Sequence, residues 1–175
     1  MRYQDGEIDR TTHPREVEEI KMTQVDVLLI EDNPQDAQLA IEFLKEAHLP
    51  FRVIVAGDGE KAMSFLGNLK GTSEEHRPSL VMLDIKLPKK DGFEILSEMR
   101  NNRELASIPV VMLTGSNQES DKKRAMSLGA DLYCLKPRDV KEWNAFTDSI
   151  GQFWIRRTMN RTPSQDEFQS RDEKT

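Results

Sequence analysis

Short apolar runs alternate with stretches of helical spacing through the middle of this chain. Five runs read as strands: Val25 to Ile30, Phe51 to Ala56, Ser79 to Leu83, Pro109 to Leu113 and Leu132 to Leu135. Most are continuously apolar rather than alternating, which predicts strands covered on both faces. Between them, Ala37, Ala40, Ile41 and Leu44 fall at three-and-four spacing after Asn33-Pro34, a cap followed by proline in the first helical turn. Ala62, Phe65, Leu66 and Leu69 form a second stripe, Phe93, Leu96 and Met99 a third, and Gln118 to Leu128 a weaker fourth closed by Gly129 as a left-handed cap. A last helix is predicted from Asp139 to about Arg157. Its Val140, Trp143, Phe146, Ile150, Phe153 and Trp154 cover an arc of roughly 140°, wider than the stripe a core-facing helix requires. Regular alternation of strand and helix predicts right-handed crossovers and a parallel sheet with helices on both faces, an α/β fold.

The ends of the chain lack this pattern. Residues 1–22 carry four Lys/Arg against six Asp/Glu, and the last 19 residues carry four of each, without periodic apolar positions. A chain of 175 residues therefore holds one domain, 23–157, between a polar N-terminal extension at 1–22 and a polar tail at 158–175. The stretch 70–77 is the longest internal loop and reads as solvated surface.

Charge and cysteine content narrow the function classes. The net charge of −6 leaves no basic stripe for phosphate backbones, which argues against nucleic acid as a direct partner. Cys134 is the only cysteine, so neither an intramolecular disulfide nor a cysteine-based metal site is expected, and it reads as a small buried hydrophobe. No apolar stretch approaches the ~20 residues needed to span a bilayer, and the first residues lack a signal-peptide core. A cytoplasmic protein without a membrane association is the expectation.

The candidate chemistry lies where the strands stop. The first strand ends in Glu31-Asp32, the third in Asp84, the fourth in Thr114-Gly115-Ser116 and the fifth in Lys136-Pro137, while Gly57-Asp58-Gly59 after the second reads as a turn. In an open α/β sheet ligands bind beyond the carboxyl ends of the strands. Three acids, a hydroxyl and an ammonium converging there suit Mg²⁺, which takes oxygen ligands, together with a phosphoryl group. A carboxylate can attack phosphorus to give an aspartyl phosphate once charge on both partners is neutralised. Thr114 and Lys136 are the available donors, and Lys136 also offsets repulsion among the acids. Singly, each feature has a plainer reading: Glu31-Asp32 as charges favoured by a helix dipole, Thr114 as a cap on the fourth helix, Tyr133 as an edge residue, and Lys89-Lys90 as a solvated turn.

Together, Leu29-Ile30-Glu31-Asp32-Asn33, Met82-Leu83-Asp84 with Leu87-Pro88 and Asp91-Gly92, Leu113-Thr114-Gly115 and Lys136-Pro137 resemble the receiver domain of two-component response regulators, over about Gln24 to Arg156. The loop before the third strand, Lys89-Lys90 and the aromatic last helix resemble the single-domain regulators that serve cyanobacterial phytochromes and related sensor kinases. This resemblance implies a flavodoxin-like (βα)5 doubly wound sheet in the order 2-1-3-4-5. It implies Asp84 as phosphoacceptor and Glu31, Asp32, Asp84 and the backbone carbonyl of Lys86 as the Mg²⁺ set. Thr114 and Lys136 would bind phosphoryl oxygens, and Thr114 and Tyr133 would form the switch. A cis Lys136-Pro137 peptide is also implied, since the family usually has one. Such a receiver catalyses only its own phosphorylation and dephosphorylation and is not otherwise an enzyme.

Lys86 departs from the small or neutral residue many receivers carry two positions after the phosphoacceptor. Its side chain would cover the phosphoryl group or pair with a neighbouring acid. The implied partners are a sensor histidine kinase, whose histidine is not matched by His13, His48 or His76, and a downstream protein, because the residues after Arg157 are too few for a DNA-binding unit. The surplus arc of the last helix predicts a homodimer, with Tyr133, Phe146, Phe153 and Trp154 as the candidate face. Two alternatives stay open: an interaction module in which phosphorylation no longer matters, and a haloacid-dehalogenase-type phosphatase. The second expects an Asp where Lys86 stands.

Overall fold

The computed structural model describes residues 25–46, 50–69 and 77–159. The N-terminal extension, the tail from residue 160 onward and most of the 70–77 loop lie outside the described residues. Five strands, β1 (Val25–Ile30), β2 (Phe51–Ala56), β3 (Leu80–Leu83), β4 (Val110–Thr114) and β5 (Leu132–Leu135), alternate with α1 (Pro34–Lys45), α2 (Gly59–Gly67), α3 (Gly92–Asn101), α4 (Glu119–Ser127) and α5 (Val140–Met159). All pairings are parallel and the sheet order is β2-β1-β3-β4-β5. The expected fold and strand order are thus observed. Helix α5 runs two residues past the predicted boundary at 157.

The continuous apolar runs divide by parity between two cores, because successive strand side chains point to opposite faces. Leu28, Ile30, Val81, Leu83, Val110 and Met112 face α2, α3 and α4, where they meet Leu66, Phe93, Leu96 and Ala125. Val27, Leu29, Leu80, Met82, Val111 and Leu113 face α1 and α5, where they meet Ala40, Leu44, Trp143 and Ile150. Full burial of each large side chain contributes about 1.5–3 kcal/mol. β1, β3 and β4 are buried on both faces. β2 and β5 form the edges and are half-buried.

Local chemistry places the helix ends. Asn33 caps α1, its Oδ1 accepting from Gln35 N at 2.9 Å and Asp36 N at 3.4 Å. Asp91 and Glu94 form a reciprocal capping box on α3. Gly129, at φ 92°, ends α4 as expected, with Ala130 N–H bonded to Ala125 O and Gly129 N–H to Met126 O, the pairing of a Schellman motif. Gly57-Asp58-Gly59 is not a simple turn: Asp58 caps α2 through Lys61 N at 2.8 Å and Gly59 is already helical.

The surplus arc of α5 is smaller than its sequence implies. Trp143 stacks on Phe43 of α1 at 5.2 Å and meets Phe146 edge-on at 5.7 Å. Phe146 is 7% exposed, so this member of the expected dimer face belongs to the protein's own core. Phe153 and Trp154 remain half-buried, and Val140 and Leu135 are exposed.

Candidate functional site

The ladder continues past the strand ends and fixes the candidate residues in register. Glu31 N–H donates to Ala56 O at 3.0 Å, Asp84 N–H to Ile30 O at 3.1 Å and Lys136 N–H to Thr114 O at 2.8 Å. Carboxyl oxygens of Glu31, Asp32 and Asp84 consequently lie within 4.8 Å of one another. Glu31 and Asp84 are buried, and Asp32 is exposed at the mouth.

Lys136 reaches into this cluster. Its Nζ donates at 2.7 Å to Asp84 Oδ2 and at 2.9 Å to Asp36 Oδ2, and stands 2.7 Å from Glu31 Oε2. Burial works against the ammonium, but the bonds to Asp84, Glu31 and Asp36 raise its pKa above the ordinary lysine range. Burial also raises the Glu31 carboxyl, against the lowering effects of Lys136 and of the Asn33 N–H, which donates to Oε1 at 3.1 Å. The other oxygen of Asp84, Oδ1, accepts from Ile85 N at 2.7 Å and Lys86 N at 3.4 Å.

Asp36 was not among the expected site residues. Its only sequence signal is an acid in the first turn of α1, one helical turn after Asp32. The donor set otherwise fits the predicted cation: it consists of carboxylates alone, as hard Mg²⁺ or Mn²⁺ prefer, with no imidazole or thiolate for a softer metal. Cys134 lies apart on β5, and burial pushes its thiol up to about 11, in keeping with an inert side chain.

Thr114 ends the neighbouring strand, fully buried, with Oγ1 accepting from Ser116 N at 3.3 Å. It does not cap α4, whose first residues have no side-chain cap. Tyr133 hydroxyl donates to Ser116 O at 2.8 Å, so the two switch candidates meet through Ser116 rather than directly. Lys86 is exposed and forms no ion pair among the described residues, so the expected pairing with an acid is not made. The Lys136–Pro137 peptide is trans, contrary to expectation. Lys89 and Lys90 are not merely solvated: Lys89, at φ 69°, pairs with Asp58 at 3.1 Å and Glu60 at 3.2 Å, and Lys90 pairs with Glu98. These pairs tie the loop after Asp84 to α2 and α3.

Close packing under Asp84 depends on Gly92. A Cβ there would fall 2.2 Å from Asp84 O and 2.9 Å from Ile85 Cα, so α3 begins directly against the phosphoacceptor candidate's backbone.

Known proteins share this arrangement. The family model for the response regulator receiver domain matches residues 27–146. Response regulator Rcp1 of Synechocystis is 38% identical over 129 residues, covering 74% of this chain and 88% of that protein. The crystal structure of the Mn²⁺-bound form of Rcp1 superposes with a TM-score of 0.64 at 37% identity, covering 75% of this chain and 94% of that one. The phosphorylated cyanobacterial phytochrome response regulator RcpA gives a TM-score of 0.68 at 33% identity, with 81% and 99% covered. With the sheet order, the acidic cluster and the bridging lysine in place, the chain belongs to the response regulator receiver family, and among its members it is similar to the phytochrome response regulators.

Proposed function

We propose that this protein is a single-domain response regulator that accepts a phosphoryl group from a sensor histidine kinase onto Asp84 and signals through protein contacts. The observation that carries this reading is the ammonium of Lys136 bridging Glu31 and Asp84 at 2.7 Å each, a half-buried cation held against a buried carboxylate whose other oxygen accepts from the N–H groups of Ile85 and Lys86. Glu31, Asp32, Asp84 and the Lys86 carbonyl would hold Mg²⁺. When bound, the ion supplies the charge neutralisation that lets a carboxylate approach a phosphoryl group. An Asp84 carboxylate oxygen forms the new O–P bond as the P–N bond to the donor imidazole breaks, and the imidazole takes a proton from solvent. Lys136 and Thr114 then donate to the phosphoryl oxygens, and the other oxygen of Asp84 keeps its backbone donors.

Incubation with Mg²⁺ and acetyl phosphate is expected to add one phosphoryl group, located at Asp84 by reductive trapping and mass spectrometry. Labelling that persists in Asp84→Ala, or that survives chelation of the metal, would refute the mechanism.

Assembly belongs to the same proposal. The sheet edge at β5 carries exposed Leu135, and Leu132 and Phe153 line a cleft between β5 and α5, so a second copy would cover Tyr133, Phe153 and Trp154 about a two-fold axis. Sedimentation should give a dimer for the wild type and a monomer for Phe153→Asp. A dimer unaffected by that substitution would place the contact elsewhere.

A further inference from the structure

Ser116 stands two residues beyond Thr114 and uses every polar group it has. Its N–H donates to Thr114 Oγ1 at 3.3 Å, and its carbonyl accepts from Tyr133 hydroxyl at 2.8 Å. Its hydroxyl donates to Asp121 Oδ2 at 2.6 Å and accepts from Gln118 N at 3.4 Å. Ser116 is buried while Asp121 is half-exposed in the first turn of α4. The Ser116 hydroxyl therefore anchors the loop from β4 to the first turn of α4, by a bond that is charge-assisted and short, the stronger kind of hydrogen bond.

The backbone groups that orient Thr114 and Tyr133 belong to the residue so anchored. Because Thr114 Oγ1 receives the Ser116 N–H, its own hydrogen is left to donate towards the crevice. Because the Ser116 carbonyl faces Tyr133, the ring is held inward, packed against the core formed with α2, α3 and α4. We propose that Ser116 is a positioning residue of the phosphoryl site, with the Ser116–Asp121 hydrogen bond acting as a latch. It fixes the loop so that Thr114 donates to the phosphoryl group and Tyr133 stays inward, and it transmits any shift of Thr114 to the first turn of α4. This rests on the function proposed above for Asp84 and adds a residue that acts through Thr114.

Two measurements test it. The chain contains two tyrosines, Tyr3 and Tyr133, so fluorotyrosine labelling gives two ¹⁹F resonances, and Tyr3 serves as the internal reference. In Ser116→Ala and Asp121→Ala the Tyr133 resonance should move towards the solvent-exposed position. The rate of Mg²⁺-dependent phosphorylation by acetyl phosphate should fall at least about tenfold in each, as loss of one charge-assisted hydrogen bond implies. The double variant should fall no further than either single one, because both remove the same bond. Asp121→Asn, which keeps an acceptor, should restore both readouts. Effects that add in the double variant, or a Tyr133 resonance unchanged in Asp121→Ala, would overturn the latch. If the wild type takes no phosphoryl group at all, the failure lies with the function proposed for Asp84, and the resonance still decides whether the latch exists.

Discussion

Replacing Lys136 with methionine should lower stability at neutral pH without divalent metal by about 2–3 kcal/mol, somewhat below the cost of removing one partner from a fully buried ion pair because Lys136 and Asp36 are partly exposed. Methionine preserves much of the packing while leaving Glu31 and Asp84 buried, close together and uncompensated. The pH dependence follows from the direction of each shift. Lys136 has a raised pKa in the folded state, so its stabilisation is complete below the unfolded lysine value and is lost only as pH climbs through the folded one. At neutral pH the wild type therefore carries all of it. Glu31 is a carboxyl with a raised folded pKa, so the folded state binds the extra proton and stability falls as pH rises through that window. Without Lys136 the lowering influence on Glu31 disappears and the window moves up. The deficit of the variant should accordingly shrink in mild acid, and also when Mg²⁺ is added, since a bound cation replaces the missing charge. Urea unfolding in neutral and mildly acidic buffer, with and without Mg²⁺, measures all three effects. A variant as stable as the wild type at neutral pH without metal would show that the lysine does not hold the acids together.

Most of this site was legible because buried strands announce where they end. An ionised carboxylate directly after an apolar run, as at Leu83-Asp84 or Ile30-Glu31, has no low-cost explanation other than a partner. Asn33-Pro34 and Gly129 marked helix ends through backbone chemistry that acts over a few residues. What escaped was set by contacts between distant segments. Asp36 meets Lys136 across 100 residues of sequence, and Lys89 reaches Asp58 from another loop, so no spacing rule connects either pair. The apolar arc on α5 is wide, but the sequence does not say that Phe43 of α1 covers Trp143 or that Phe146 packs inward. The Lys136–Pro137 peptide is similar: cis and trans differ by only about 0.5–1 kcal/mol before proline, too little for local sequence to decide.

Gly92→Ala should be strongly damaging for the addition of a single methyl group. The residue begins α3 behind the Asp91 cap, and its N–H donates to Ile85 O at 2.9 Å, which binds the helix start to the loop that follows Asp84. An added Cβ would stand 2.2 Å from Asp84 O, 2.9 Å from Ile85 Cα and 3.0 Å from Asp84 C. These are backbone atoms at the end of a central strand, so no side-chain rotation relieves the contact. Either α3 moves outward, opening the packing of Phe93, Ile95 and Leu96, or the end of β3 moves and takes the Asp84 carboxylate out of line with Lys136. Overpacking of this kind costs about 3 kcal/mol. A displacement of about 1 Å at a reacting group can slow its chemistry roughly a hundredfold. Gly67→Ala provides the contrast, because a Cβ at the last residue of α2 meets nothing within 4 Å and should leave stability unchanged or raise it by up to about 1 kcal/mol. Denaturant midpoints and phosphorylation rates of the two variants measure both effects. A Gly92→Ala protein with the wild-type midpoint and rate would mean that the start of α3 can yield without moving Asp84, and that the close approach of the helix to the Asp84 backbone is not what positions its carboxylate.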